Sequence, residues 1–132
     1  MKRSSCYDTR FFIEYFYQKD PEQLTKLKAL LEGIRKRYIS AIVIHEVFKI
    51  TLEQEGRETA KIRRNFLEKD FKTVVMDGQI AETSAELRHK YRIPLGDSVI
   101  AATSVIKKAQ VITDDPHFKQ IKEVQTKWIV EQ

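Results

Sequence analysis

One cysteine, four glycines, three prolines and three histidines are all that this 132-residue sequence contains of those types. Cys6 alone cannot close an internal disulfide, and no Cys/His spacing suited to zinc is present. So few glycines and prolines exclude a collagen-like, loop-built or low-complexity chain. A glycine-rich phosphate loop has no room either, which tells against a phosphotransfer enzyme acting on small phosphorylated molecules. No apolar run approaches the roughly 20 residues that cross a bilayer. The basic start Met1-Lys2-Arg3 has no apolar stretch behind it to make a signal peptide. The expectation is a soluble, cytoplasmic protein with one domain over residues 1–132.

Apolar residues make up 42% and charged residues 33%, enough for a real core under a heavily charged surface. The formal net charge of +5 favours acidic partners, nucleic acid first, although ordinary domains carry as much. Ser4 to Tyr7 is a polar candidate strand, and Arg10 to Tyr17 is rich in aromatics. Asp20-Pro21-Glu22-Gln23 starts a helix, with a capping Asp, Pro at the first position and Gln23 placed to reach back. Leu24, Leu27, Leu31 and Ile34 continue it at three- and four-residue steps, and Arg35-Lys36-Arg37 would close it at the negative pole of its dipole. Ser40 caps a second helix from Ala41 to Glu55 that stops at Gly56, and a third covers about 58 to 69. Phe71 to Met76 reads as a short buried strand, and Asp77 caps a helix to Tyr91. Past Pro94, Asp97 to Lys108 is apolar nearly all round and therefore deeply buried. Val111-Ile112-Thr113 is a strand, Asp115-Pro116 a helix start and Trp128-Ile129-Val130 a last strand. Short buried strands alternating with long helices specify an α/β domain with a short, mainly parallel sheet flanked by helices.

In such sheets ligands bind beyond the carboxyl ends of the strands. Asp8 and Asp115 follow candidate strands, Asp97 heads the buried helix, and Glu46 lies in an apolar helix less than two turns from its start. Each aspartate has an ordinary alternative as a helix cap, and Asp20 and Asp77 need nothing more. For Glu46 the alternative is a salt bridge along its helix to Lys49. If Asp8, Glu46, Asp97 and Asp115 converge, each pair at about 5 Å and an effective dielectric near 20 repels by roughly 3 kcal/mol. Such a group takes up protons or binds cations, and oxygen ligands suit Mg²⁺ or Mn²⁺ rather than zinc.

These pieces, in this order, resemble the PIN-domain ribonucleases, most closely the VapC-type toxins of toxin–antitoxin pairs. Asp8-Thr9 resembles the opening motif of that family. Ser40 with Ile44-His45-Glu46-Val47 resembles the helix carrying its glutamate, and Ile93-Pro94-Leu95-Gly96-Asp97 through Ala101-Ala102 resembles its third motif. Thr113-Asp114-Asp115-Pro116-His117-Phe118 resembles its closing Thr-x-Asp-x-x-Phe. The first strand is more polar than is usual there. The resemblance implies a single PIN-like domain and metal-dependent cleavage of RNA phosphodiesters, leaving 5′-phosphate and 3′-hydroxyl ends. Asp8, Glu46, Asp97 and Asp115 would be both the catalytic and the Mg²⁺- or Mn²⁺-binding residues. The Thr-x-Asp spacing selects Asp115 over Asp114. Thr9 and Thr113 would offer hydroxyls to the groups around the metal or to its water. His45, His89 and His117 are expected in packing or at the surface.

The resemblance also implies an RNA substrate, a homodimer and a VapB-type antitoxin. Phosphate contacts would come from Arg35-Lys36-Arg37, the 57–72 segment, residues 88–92 and Lys107-Lys108, each of which is equally a solvated helix face. The aromatic group Phe11, Phe12, Tyr15, Phe16 and Tyr17 is a candidate groove or dimer surface, with core packing as the alternative. The rival reading is a non-catalytic basic module that binds RNA or protein, its aspartates serving only as caps.

Overall fold

The polar first strand is the centre of the sheet. In the computed structural model, which describes residues 3–129, β1 (Arg3–Tyr7) has Ser5, Cys6 and Tyr7 wholly buried. Its polar atoms are satisfied there: Gln110 Nε2 donates to Ser5 Oγ at 3.0 Å, and Tyr7 Oη donates to the Leu30 carbonyl at 2.7 Å. A buried hydroxyl with a partner costs little, so polarity does not exile this strand to an edge.

After β1 come α1 (Thr9–Tyr17), α2 (Pro21–Ala29), β2 (Ile34–Ser40), α3 (Ala41–Glu55), α4 (Arg57–Asp70) and β3 (Lys72–Val74). The chain continues through α5 (Gly78–Tyr91), α6 (Leu95–Lys107), β4 (Gln110–Ile112), α7 (Pro116–Lys119) and β5 (Thr126–Lys127). Every strand pair is parallel, in the order β3-β2-β1-β4-β5. The chain leaves β1 towards β2 on one side and returns to it as β4 on the other. The gap between the carboxyl ends of β1 and β4 is therefore a topological switch point, where open α/β sheets bind ligands.

The helix caps follow the sequence closely. Asp20 accepts from Glu22 N, Ser40 from Ile42 N and Asp77 from Ile80 N. Gly56 sits at φ 93°, a conformation that costs glycine least, between α3 and α4. Helix α6 buries every residue from Ser98 to Ser104, as its all-round apolarity requires.

Three expectations need correction. The helix opened by Asp20 ends at Ala29, and Ile34-Arg35-Lys36-Arg37 opens β2 instead of closing that helix. Pairing with β1 and burial of Tyr38, Ile39 and Ser40 outweigh the helical spacing of Leu31 and Ile34. The strand near Phe71 is three residues long at the edge of the sheet, and Val75 and Met76 are exposed beyond its end. The last strand is Thr126–Lys127, before Trp128 and Ile129, while Val130 lies outside the described residues.

Four of the five aromatics of α1 belong to the core or pack against it. Phe11 and Phe12 are wholly buried among Tyr7, Phe71 and Trp128, with Tyr15 and Phe16 stacked against Phe66 and Phe12. Tyr17 reaches the surface, where its hydroxyl donates to Glu55 at 2.7 Å and Arg63 lies over its ring. No helix among the described residues is long and apolar enough to cross a membrane.

Candidate active site

Four elements deliver one carboxylate each to the switch point. Asp8 leaves the end of β1, Glu46 projects from the second turn of α3, Asp97 stands in the first turn of α6 and Asp115 precedes α7. All four line one open cavity of about 590 Å³, with Thr9, Gly96, His45 and Lys49 on its walls and Ile13, Ile42 and Ile50 as its apolar part.

Asp8 occupies the N-cap position of α1 but makes no side-chain cap bond. Its carboxylate turns inward instead, 3% exposed, and accepts from Thr113 Oγ1 at 2.6 Å. Burial pushes its pKa up to about 7, against the pull of the Thr113 hydroxyl and with further push from the charges of Asp97 and Asp115. Thr113 also accepts from the Asp115 backbone N–H at 3.0 Å, so one hydroxyl ties two of the acidic residues together.

Glu46 accepts a hydrogen bond from the Thr9 hydroxyl, and Lys49 pairs with Glu53 rather than with Glu46. Gly96 faces the other oxygen: a Cβ there would lie 2.9 Å from Glu46 Oε2. The glycine is thus the gap through which the glutamate reaches the cavity.

Asp97 is half-buried, and its pKa is raised, first by burial and then by the charge of Asp115, with His117 opposing. Asp115 Oδ1 accepts from the His117 backbone N–H at 2.9 Å and so caps α7 while facing the cavity. Asp114 points elsewhere. Arg10 grips it with two nitrogens at 2.8 and 2.9 Å, which holds its carboxyl below the usual carboxylate range.

From the sequence, His117 is expected only in packing or at the surface. It is exposed, but its Nδ1 lies 2.8 Å from Asp97 Oδ2 and 3.3 Å from Asp115 Oδ1. The available signal was its place in the first turn of α7, two residues after the capping Asp115. His45 also lines the cavity, from the exposed side of α3.

The donor chemistry fits a hard divalent cation. Four carboxylates line this cavity, two of them already forced towards protonation, and a cation would relieve that repulsion. Asp97, Asp115 and His117 each present a ligand atom within 4.8 Å of the others, whereas Asp8 and Glu46 line the same cavity outside that close set.

Comparison with known proteins agrees with this architecture. The model of the PIN domain matches residues 5–124. A chain of a toxin–antitoxin complex from Klebsiella pneumoniae is 25% identical, with a TM-score of 0.76, 96% of this chain covered and 100% of that one. A chain of VapBC2 from Rickettsia felis, bound to a DNA fragment from its promoter, shares the fold at 18% identity and TM-score 0.78, over 98% of this chain and 100% of that one. So does VapC20 from Mycobacterium tuberculosis, a sarcin–ricin loop cleaving toxin, at 18% identity and TM-score 0.70, over 92% and 99%. No curated protein matches the sequence. With the family's model spanning most of its length and the fold of VapC-type toxins throughout, the chain belongs to the PIN domain family.

Proposed function

We propose that the protein is a divalent-metal-dependent endoribonuclease and the toxin of a VapBC-type toxin–antitoxin pair. The observation that carries this reading is the convergence of Asp8, Glu46, Asp97 and Asp115 from four separate elements onto one cavity at the switch point. A module whose aspartates only cap helices has no use for that convergence. Asp115 does cap α7, but Asp8 makes no cap bond, and Asp97 lies inside its helix behind Pro94.

The reaction is hydrolysis: water attacks phosphorus, the bond to the 3′ oxygen breaks, and the products carry 5′-phosphate and 3′-hydroxyl ends. Mg²⁺ or Mn²⁺, held by the four carboxylates, would supply the positive charge that activates water and stabilises the leaving oxygen. The chain's own part is placement. Thr113 fixes Asp8, Thr9 fixes Glu46, and the His117 ring braces Asp97 against Asp115. These hydrogen bonds hold the carboxylates at a separation that their charges oppose, ready for the cation.

Several structural neighbours are themselves toxin–antitoxin complexes, which supports a VapB-type antitoxin as the partner of this chain. A homodimer completes the proposed assembly.

The test is Mn²⁺ titration by calorimetry beside cleavage of labelled RNA, for the unaltered protein and for Asp97→Asn. The reading requires that the substitution abolish cleavage and weaken Mn²⁺ binding while the circular dichroism spectrum stays the same. Metal-dependent cleavage retained by Asp97→Asn would remove this site assignment.

A further inference from the structure

A strongly cationic cavity lies at the opposite end of the sheet. It measures about 470 Å³ and is lined by Arg35, Lys36 and Arg37 of β2 with Lys69, Asp70 and Lys72 at the junction of α4 and β3. Five cations thus surround one acid. The side chains of Arg35, Lys36, Lys69 and Lys72 make no hydrogen bond or ion pair among the described residues, and that of Arg37 donates to the Leu31 carbonyl at 3.0 Å. The proposed hydrolysis does not use this cavity. Like charges gathered around a concavity repel each other and attract an anion, and the field is strongest inside the recess.

The backbone adds to this. Strand β3 begins at Lys72, opposite Tyr38, so Ile34 to Arg37 have no strand partner on that side while β1 pairs with them on the other. This stretch of β2 edge lies open beside the lysines. A peptide strand would find only about two ladder contacts along four residues, too few to make a peptide the natural occupant. A chain of phosphates needs no ladder, only spaced cations.

We propose that this cavity is a second phosphate-binding site, holding the backbone of a single-stranded RNA at a distance from the point of cleavage. The proposal rests on the ribonuclease reading and deepens it. Six residue steps of about 3.3 Å separate Ile34 from Ser40, which puts the cavity roughly 20 Å from the acidic end of the sheet. A strand advancing about 3.4 Å per nucleotide needs some six nucleotides to reach both. The acidic pocket itself repels phosphate, so a remote cationic anchor offers affinity that the cleavage site cannot. Longer RNAs gain from it, and very short ones do not.

The experiment measures fluorescence anisotropy of a labelled 30-nucleotide RNA of mixed sequence with the full chain in EDTA, so that binding is read without cleavage. The triple variant Lys36→Gln, Lys69→Gln, Lys72→Gln is compared with a charge-matched control, Lys19→Gln, Lys28→Gln, Lys61→Gln, whose residues lie outside the cavity. Loss of three phosphate contacts predicts affinity at least about tenfold weaker at ~50 mM salt, and a log–log salt slope shallower by roughly 2. On the same RNA with Mn²⁺, the triple variant should raise KM and leave kcat unchanged. A triple variant that binds with the control's affinity and slope overturns the proposal. Polyglutamate of equal charge competing as well as RNA overturns it in favour of an acidic peptide. The two readings fail separately: an unaltered protein that cleaves no RNA defeats the ribonuclease assignment, whereas cleavage with an unmoved salt slope defeats only the second site.

Discussion

Replacing Gly96 by alanine should separate function from stability. The new Cβ would stand 2.9 Å from Glu46 Oε2, with the carboxyl carbon at 3.8 Å, and no other atom is within 4 Å. The Cβ is fixed to the backbone of α6, whereas the carboxylate ends a flexible side chain, so the glutamate gives way. It must retreat by about 0.5 Å to reach ordinary contact distance. That movement loosens the Thr9 hydrogen bond and draws one of the four carboxylates from the cavity. Since a misplacement of 1 Å can cost about 100-fold in rate, half of that should cost roughly tenfold. Folding should not suffer: alanine is favoured over glycine within a helix by up to about 1 kcal/mol. The assay is turnover of labelled RNA at several Mn²⁺ concentrations beside thermal unfolding. Gly78→Ala is the control, because open space surrounds that position. A stably folded Gly96→Ala variant with unaltered turnover and Mn²⁺ affinity would refute the role given to Glu46.

Other substitutions and conditions test the remaining parts. Asp115→Asn should remove cleavage, whereas Asp114→Asn should leave it within about threefold and cost at most about 1 kcal/mol of stability, since its pair with Arg10 is largely exposed; equal loss in both variants would contradict the assignment. In metal-free protein, Asp8 titrates near 7 when folded and near 3.9 when unfolded, so only the folded state holds the proton between those values. Stability in EDTA should therefore fall as pH rises from about 4 to 7 and then level off, by at most about 4 kcal/mol. Urea denaturation at pH 5 and pH 8 measures this, and a protein more stable at pH 8 would contradict it. At pH 8, Mn²⁺ at 100 times its dissociation constant should restore about 2.7 kcal/mol, and no shift in the midpoint would argue against a cation at the carboxylates.

Local signals carried most of the fold. Ser40 and Gly56 bracket α3, and Asp20 and Asp77 are caps because their side chains satisfy free amides at helix starts. Strand β2 is not legible locally because its first half carries Arg35-Lys36-Arg37, the first two exposed, and its identity depends on a parallel partner some thirty residues away. Gly33, at φ 71°, was the local clue that the preceding helix had ended.

For the candidate site, positions at strand ends and helix starts, together with the resemblance to the PIN-domain ribonucleases, pointed to four acidic residues that line one cavity. What spacing could not reveal was lateral contact. The His117 ring meets Asp97 from twenty residues away, Thr113 reaches Asp8 across the sheet, and Gly96 makes room for Glu46. The second follows from the parallel pairing of β1 with β4, and the other two from where the ends of α3, α6 and α7 meet.

The most direct measurement is incubation of RNA with the purified protein, with Mg²⁺ or Mn²⁺ and with EDTA, followed by analysis of the product ends. A catalytic group of four cation-binding carboxylates predicts cleavage only with the metal, leaving 5′-phosphate and 3′-hydroxyl termini. Cleavage that persists in EDTA, or products ending in 2′,3′-cyclic phosphate, would contradict it.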